Sequence, residues 1–186
     1  MRGRGVESAE GTLFCPCEGA RMEEKQYYIA YGSNLHFKQM HRRCPNAKVV
    51  GSGELQGYGL VFKGRDYGAC VTIEPKEGGT VPVLIWELGE NDENALDRYE
   101  GYPKLYTKSM VETEVNGETI SAMVYVMRPN MRIGMPSNVY LQIITEGYEN
   151  AGFDMKGLQE AYQHSQIISE EAWKACQSSL QLREPR

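Results

Sequence analysis

The sequence predicts an α+β domain, built on a small curved mixed sheet or β-barrel with flanking helices and finished by a helical C-terminal segment. Short runs of Val, Ile, Leu, Tyr and Phe separated by Gly occupy the first two thirds of the chain. Only two helical stretches interrupt them before residue 130, too few for a doubly wound parallel sheet. From Ser137 onward the pattern becomes helical, and strands followed by helices are the order of an α+β fold.

Each element has a local reason. Tyr27-Tyr28-Ile29-Ala30-Tyr31 is aromatic and β-branched and stops at Gly32, a strand running into a turn. Asn34 is placed to cap a short helix from Leu35 to Arg43, which Pro45 ends. Segments 47–51, 54–63, 69–74 and 81–88 read as antiparallel strands, with Glu77-Gly78-Gly79 as a turn between two of them. Asn91 can cap a helix reaching Glu100, with acidic residues in its first turn and Ala95, Leu96 and Tyr99 as an inward stripe. Gly101 and Pro103 stop it. Strands at 105–114 and 119–128 follow, joined by Asn116-Gly117, the strongest hairpin signal in the chain. Asp154 and Ser169 are N-cap candidates for later helices.

The 186 residues fit one domain with enough apolar side chains for a core. Residues 1–22 mix Gly, Arg, Glu and Cys without period and are expected to be a disordered extension, with Met22 as a possible natural start; residues 23–186 are expected to form the single domain. The net charge of −5 and the absence of a basic stripe argue against nucleic acid or an anionic membrane as partner. No apolar run approaches the roughly 20 residues of a membrane helix. Five cysteines, at 15, 17, 44, 70 and 176, are odd in number and irregular in spacing, which fits free thiols in a reducing, cytoplasmic setting. Cys15-Pro16-Cys17 lacks the further ligands of a zinc site, so no metal is expected.

Two places could carry chemistry. Gly32-Ser33-Asn34 lies between a strand and a helix, where consecutive N–H groups can hold a carboxylate or phosphate; an ordinary capped turn reads the same way. Glu100 ends a helix, where the dipole disfavours its charge, and an apolar pocket would raise its pKa toward neutrality; a solvated surface glutamate is the plain alternative. His36 and His41 are five apart and do not share a face as metal ligands would. There is no Gly-x-Ser-x-Gly elbow, Walker loop or G-x-G-x-x-G, so neither a serine nucleophile nor a nucleotide cofactor is implied.

Taken in order, several segments resemble the γ-glutamylcyclotransferases, of the AIG2-like superfamily. They are Tyr28-Ile29-Ala30-Tyr31-Gly32-Ser33-Asn34-Leu35, then Leu96-Asp97-Arg98-Tyr99-Glu100-Gly101 with Tyr106 after it, then Tyr125 in Ala122-Met123-Val124-Tyr125-Val126-Met127. Pro136, Ser137, Tyr140, Ile143, Ile144, Gly147 and Gly152 continue the match. The resemblance implies a cofactor-free enzyme in which the α-amine of a γ-glutamyl compound attacks its own γ-carbonyl, giving 5-oxoproline and releasing an amino acid or amine. It implies Glu100 as the acid/base and Tyr31, Gly32, Ser33, Asn34, Tyr106 and Tyr125 as substrate-binding residues. The stretch from Glu100 to Tyr106 is shorter than in the animal glutathione-pathway enzymes and contains Pro103, so the pocket wall and the leaving group are expected to differ there. A γ-glutamylamine or γ-glutamyl-deprotecting activity shares the mechanism. A non-catalytic small-molecule-binding domain is the reading from another class. The sequence fits a monomer or a homodimer equally.

Overall fold

The computed structural model describes residues 25–64 and 68–181, with backbone alone from 176 on. The expected disordered extension, Met22, Cys15 and Cys17 therefore lie outside the described residues, as does the Cys176 side chain.

Six strands form one mixed sheet in the order β4-β5-β1-β3-β2-β6. The short β1 (Gln26–Ala30) is central because it is apolar on both faces, its last residues Tyr28, Ile29 and Ala30 all being buried. It pairs antiparallel with β3 (Cys70–Leu88) and parallel with β5 (Glu118–Met127). β4 (Tyr106–Val115) and β5 form the expected hairpin. Asn116 and Gly117 both take positive φ, 53° and 81°, the twist a two-residue hairpin needs. β6 (Arg132–Ile133) adds a short edge to β2 (Lys48–Gly64).

The four strands expected between 47 and 88 are two long bent ones. β2 and β3 pair across the gaps expected at 52–53 and 75–80. Ser52 and Gly53 face Leu84 and Val83 in register, and the ladder shifts instead between Val49 and Gly51 and between Gln56 and Tyr58. Glu77-Gly78-Gly79 is not a turn between strands: the ladder closes on either side of it, Gln56 facing Thr80 and Tyr58 facing Pro75, so the segment bulges out of β3. These irregularities bend the ribbon and let the sheet curl. The curl brings β2 against the far strand, where the Thr113 hydroxyl donates to the Glu54 carbonyl at 3.1 Å. A Cβ on Gly53 would sit 2.7 Å from the Glu114 carbonyl, so that approach needs a glycine.

The helices cover one end and one face. A 3-10 turn, Ser33–Leu35, precedes α1 (Phe37–Arg43). α2 is Asp92–Glu100, α3 Asn138–Ala151 and α4 Lys156–Gln181. Ser137 caps α3 by accepting from the Tyr140 N–H, and the Asp154 carboxylate takes the Lys156 N–H as α4 begins. Ser169 lies inside α4 and caps nothing, since no Gly or Pro breaks the run around it. Asn34 is not a helix cap either; it sits within the 3-10 turn, and His36 occupies the N-cap of α1. Asn91 stands at the N-cap of α2 in the left-handed region without a side-chain bond, and Asp92 instead reaches back to the Gly89 N–H at 2.8 Å. No helix among the described residues is long and apolar enough to cross a membrane.

Candidate active site

The C-terminal end of β1 and the C-terminal end of α2 meet at one pocket. Strand pleating alone would send Tyr28 and Tyr31 to opposite faces. The chain leaves β1 after Ala30 and turns at Gly32, and both rings come to line the same space. Gly32 is the pivot because a Cβ there would be 2.6 Å from a Val71 methyl. The turn bonds from Leu35 N–H to the Gly32 carbonyl and from His36 N–H to that of Ser33. The first N–H groups of such a turn have no partner within it, so those of Gly32, Ser33 and Asn34 remain for other acceptors. α3 backs this turn closely: a Cβ on Gly147 would lie 2.8 Å from the Leu35 Cβ and 3.0 Å from the His36 nitrogen.

α2 delivers Glu100 as its last residue. Gly101 ends the helix at φ 64°, and the Tyr102 N–H bonds back to the Asp97 carbonyl. The Glu100 carboxyl lines the pocket with Tyr31, Gly32, Ser33, Asn34, Tyr106 and Tyr125, so every residue singled out from sequence reaches one place. The remaining space is about 20 Å³, room for a single water. A larger groove of about 890 Å³ runs between the β2–β3 ribbon and α4, but it is open and holds none of these residues.

Burial without a directly paired cation drives the Glu100 carboxyl up to about 7, against the downward pull of the Arg43 charge and a hydrogen bond from the Asn34 amide. That bond, Nδ2 to Oε1, is 2.9 Å, and the same amide donates to the Tyr28 hydroxyl at 2.7 Å. A carboxyl so placed exchanges a proton near neutral pH.

The tyrosines do not offer their hydroxyl protons as freely as their number implies. Tyr31 donates to the Tyr125 carbonyl at 2.5 Å, Tyr106 to the Val71 carbonyl at 2.9 Å, and Tyr125 to the Asp97 carboxylate at 2.6 Å. Burial pushes all three further from ionising. Each then keeps oxygen lone pairs as acceptors, suited to an ammonium group rather than to an anion. The pocket thus pairs N–H donors at the turn with acceptors on the sheet.

Sequence reasoning did not single out Tyr28, Tyr140, Tyr99 or Arg43 for the site. Tyr28 and Tyr140 line the pocket, and the Tyr140 hydroxyl accepts from the Val71 N–H at 3.1 Å. Tyr99 was expected inward, yet it is 44 % exposed, with its hydroxyl 3.0 Å from Ser33 Oγ and the Arg43 guanidinium 3.4 Å over its ring. Two signals were available: Tyr28, Tyr99 and Tyr140 fall in the segments that resemble the family, and Tyr28 and Tyr99 each stand within three residues of Tyr31 or Glu100. Among the described residues no group of three or more His, Cys, Asp or Glu is gathered to hold a metal.

Comparison with known proteins supplies a family. Residues 28–147 match the model of the gamma-glutamyl cyclotransferase, AIG2-like family. A human gamma-glutamylcyclotransferase is 30% identical over 145 residues, 72% of this chain and 76% of that protein. The mouse gamma-glutamylcyclotransferase is 30% identical over 148 residues, 73% of this chain and 78% of its own. A solved gamma-glutamyl cyclotransferase structure superposes with a TM-score of 0.66 at 27% identity, covering 74% of this chain and 86% of that one.

Proposed function

The chain belongs to the gamma-glutamyl cyclotransferase, AIG2-like family, and from that premise we propose that it closes γ-glutamyl compounds to 5-oxoproline, with Glu100 moving the proton. It is an enzyme of the γ-glutamylcyclotransferase type, acting on a small molecule. The observation that carries the residue assignment is the Glu100 carboxyl, raised to about 7 inside a pocket that has donors on one side and acceptors on the other.

The substrate brings its own nucleophile. Its α-carboxylate would take N–H groups of Gly32, Ser33 and Asn34, while its α-ammonium would meet the oxygens of Tyr31, Tyr106 and Tyr125. Held so, the nitrogen lies over the γ-carbonyl carbon, and such orientation is worth roughly 7–11 kcal/mol. Glu100 as carboxylate accepts a proton from the ammonium. The freed amine forms the ring C–N bond, and the bond from the γ-carbon to the leaving nitrogen breaks. Glu100 returns that proton to the leaving nitrogen, then takes the second proton from the ring nitrogen and passes it to the departing amine, which leaves as its ammonium. The lactam nitrogen keeps one hydrogen, the carboxylate is regenerated and nothing else is consumed. Acid/base help of this kind typically contributes about 10²–10⁴-fold. A γ-glutamyl group is several times larger than the roughly 20 Å³ now open, so binding must move side chains at the mouth. We place the reaction in the cytoplasm, a setting that the free Cys44 and Cys70 favour.

The experiment is 5-oxoproline release from a panel of γ-glutamyl amino acids and amines, with Glu100→Gln alongside. Turnover that collapses in the variant supports reaction and residue together, and the best substrate names the leaving group. A folded wild type that binds γ-glutamyl compounds and turns none over would make this a binding domain instead.

A further inference from the structure

We infer that Arg43 is a positioning residue, which locks the Asn34 amide so that its NH₂ faces Glu100 and supplies the cation that holds Glu100 ready to ionise. The inference rests on Glu100 being the acid/base of the proposed reaction.

The geometry is directional. A guanidinium carries donors only, and Oδ1 is the one acceptor on the Asn34 amide. Arg43 Nη1 donates to that oxygen at 2.5 Å. The amide cannot turn over without setting its NH₂ against the cation. Held this way, Nδ2 reaches both Glu100 Oε1 and the Tyr28 hydroxyl. Arg43 is itself fixed, by Nη2 to Gln39 Oε1 at 2.7 Å one turn back on α1, and by lying over the Tyr99 ring. It therefore ties α1, the 3-10 turn and the end of α2 into one unit. Arg43 is absent from the side chains lining the pocket, so its influence on the chemistry runs through Asn34 and through its field.

The field matters because of what else faces Glu100. Tyr28 faces it from β1, Tyr31 from the turn that follows β1, and Cys70 from β3. Tyr106 and Tyr125 face it from β4 and β5, and Tyr140 from α3. Every one of these is held neutral, its proton retained by burial first of all. Behind Tyr125, Asp97 is matched by Lys108 at 2.7 Å. Arg43 is the cation that lowers the cost of charging Glu100, and without it burial acts with only the Asn34 bond in opposition.

The test compares wild type with Arg43→Met and Arg43→Lys in two ways. One is carbon NMR of protein labelled at the glutamate side-chain carboxyl, following the Glu100 signal, assigned by its loss in Glu100→Gln, through pH. The other is kcat and KM against pH on the best γ-glutamyl substrate. Arg43→Met is expected to move the Glu100 midpoint and the acid limb of kcat up by about one pH unit. Its kcat at pH 7 should fall about five- to tenfold, with KM changed less than about threefold. Arg43→Lys keeps the charge but not the planar fork, so its midpoint stays near wild type while kcat falls by a smaller factor. If Arg43→Met does not fold, Arg43→Gln, which keeps a donor for Asn34 and loses the charge, should show the same upward midpoint. A midpoint and acid limb that stay put in a neutral variant, even one that melts earlier, would overturn the inference and leave Arg43 a structural tie. The NMR arm needs no substrate. A shifted midpoint in a protein without cyclotransferase activity would therefore uphold Arg43 while refuting the reaction, and an unshifted one in an active protein would do the reverse.

Discussion

The two ends of α2 hold glutamates on opposite terms. Glu93 lies in the first turn, where the helix dipole favours an anion. It pairs with Lys108 and accepts from Gln26, and these bonds, the Lys108 one first, hold its carboxyl below the ordinary range. Glu100 lies at the last turn, where the dipole opposes an anion. It has an amide and a more distant guanidinium for company, and burial lifts it to about 7. Eight residues of one helix thus carry the same side chain from a permanent anion to a group poised between states. Cations close by make a structural carboxylate; burial with the cation kept one residue away makes a reactive one.

The sharpest way to break this comparison is to shorten the reactive end. Glu100→Asp keeps the carboxylate but withdraws it by one methylene from Asn34, and kcat on the best γ-glutamyl substrate should fall about 100-fold, the usual result of misplacing a reacting group by an ångström. Retention of most of the activity would mean that the position of the charge matters little. A second change leaves Glu100 alone and moves what it is bonded to. In Gly147→Ala the new methyl presses on Leu35 and His36, and α3 must shift from the turn that carries Asn34. Thermal and chemical unfolding should show a loss of about 1–3 kcal/mol, with kcat reduced as well.

Stability against pH sharpens the comparison further, because the two ends have opposite signs. The folded pKa of Glu100 is raised above the ordinary glutamate value of 4.5, so between about 4.5 and 7 the folded state binds the extra proton and stability falls as pH rises. Glu100→Gln removes that penalty, and at pH 8 it should be more stable than wild type by about 1–3 kcal/mol, with little gain at pH 4. Glu93 is depressed, so its contribution is present above the unfolded pKa and is lost as pH falls through the folded one. Since Glu93 is about one-third exposed, Glu93→Gln should cost only about 0.5–1 kcal/mol at pH 7. Denaturation curves of both variants at the two pH values check this, and a Glu100→Gln protein less stable than wild type at pH 8 would remove the idea of a costly buried charge.

How much of this was legible in the sequence differs between the same two ends. Glu100 could be found because Gly101 marks where α2 stops and because the ordered segments around it resemble a known family. The turn at Gly32 was legible for the same reasons. The Glu93–Lys108–Asp97 cluster was not, since Lys108 belongs to β4 and only sheet pairing carries it to α2. Arg43 and Tyr99 were missed because their partners lie across the α1–α2 contact, which no periodicity encodes. The strand count between 47 and 88 was doubled for a related reason. Glycine reads as a break in sequence, whereas Gly53 stays paired with Val83 and Gly78, at positive φ, sits in a bulge on either side of which the ladder continues. Tyr31, Tyr106 and Tyr125 do share one pocket, but their hydroxyl partners, two backbone carbonyls and the Asp97 carboxylate, depend on what the curled sheet and α2 bring near.

The account stands or falls on the proton that Glu100 moves. The direct measurement is kcat against pH for 5-oxoproline release by wild type and Glu100→Gln on the same γ-glutamyl substrate. The expected result is a wild-type acid limb with its midpoint near 7, and a variant slower by about 10²–10⁴-fold in which that limb is gone. A Glu100→Gln enzyme that works at the wild-type rate with the same limb would contradict it.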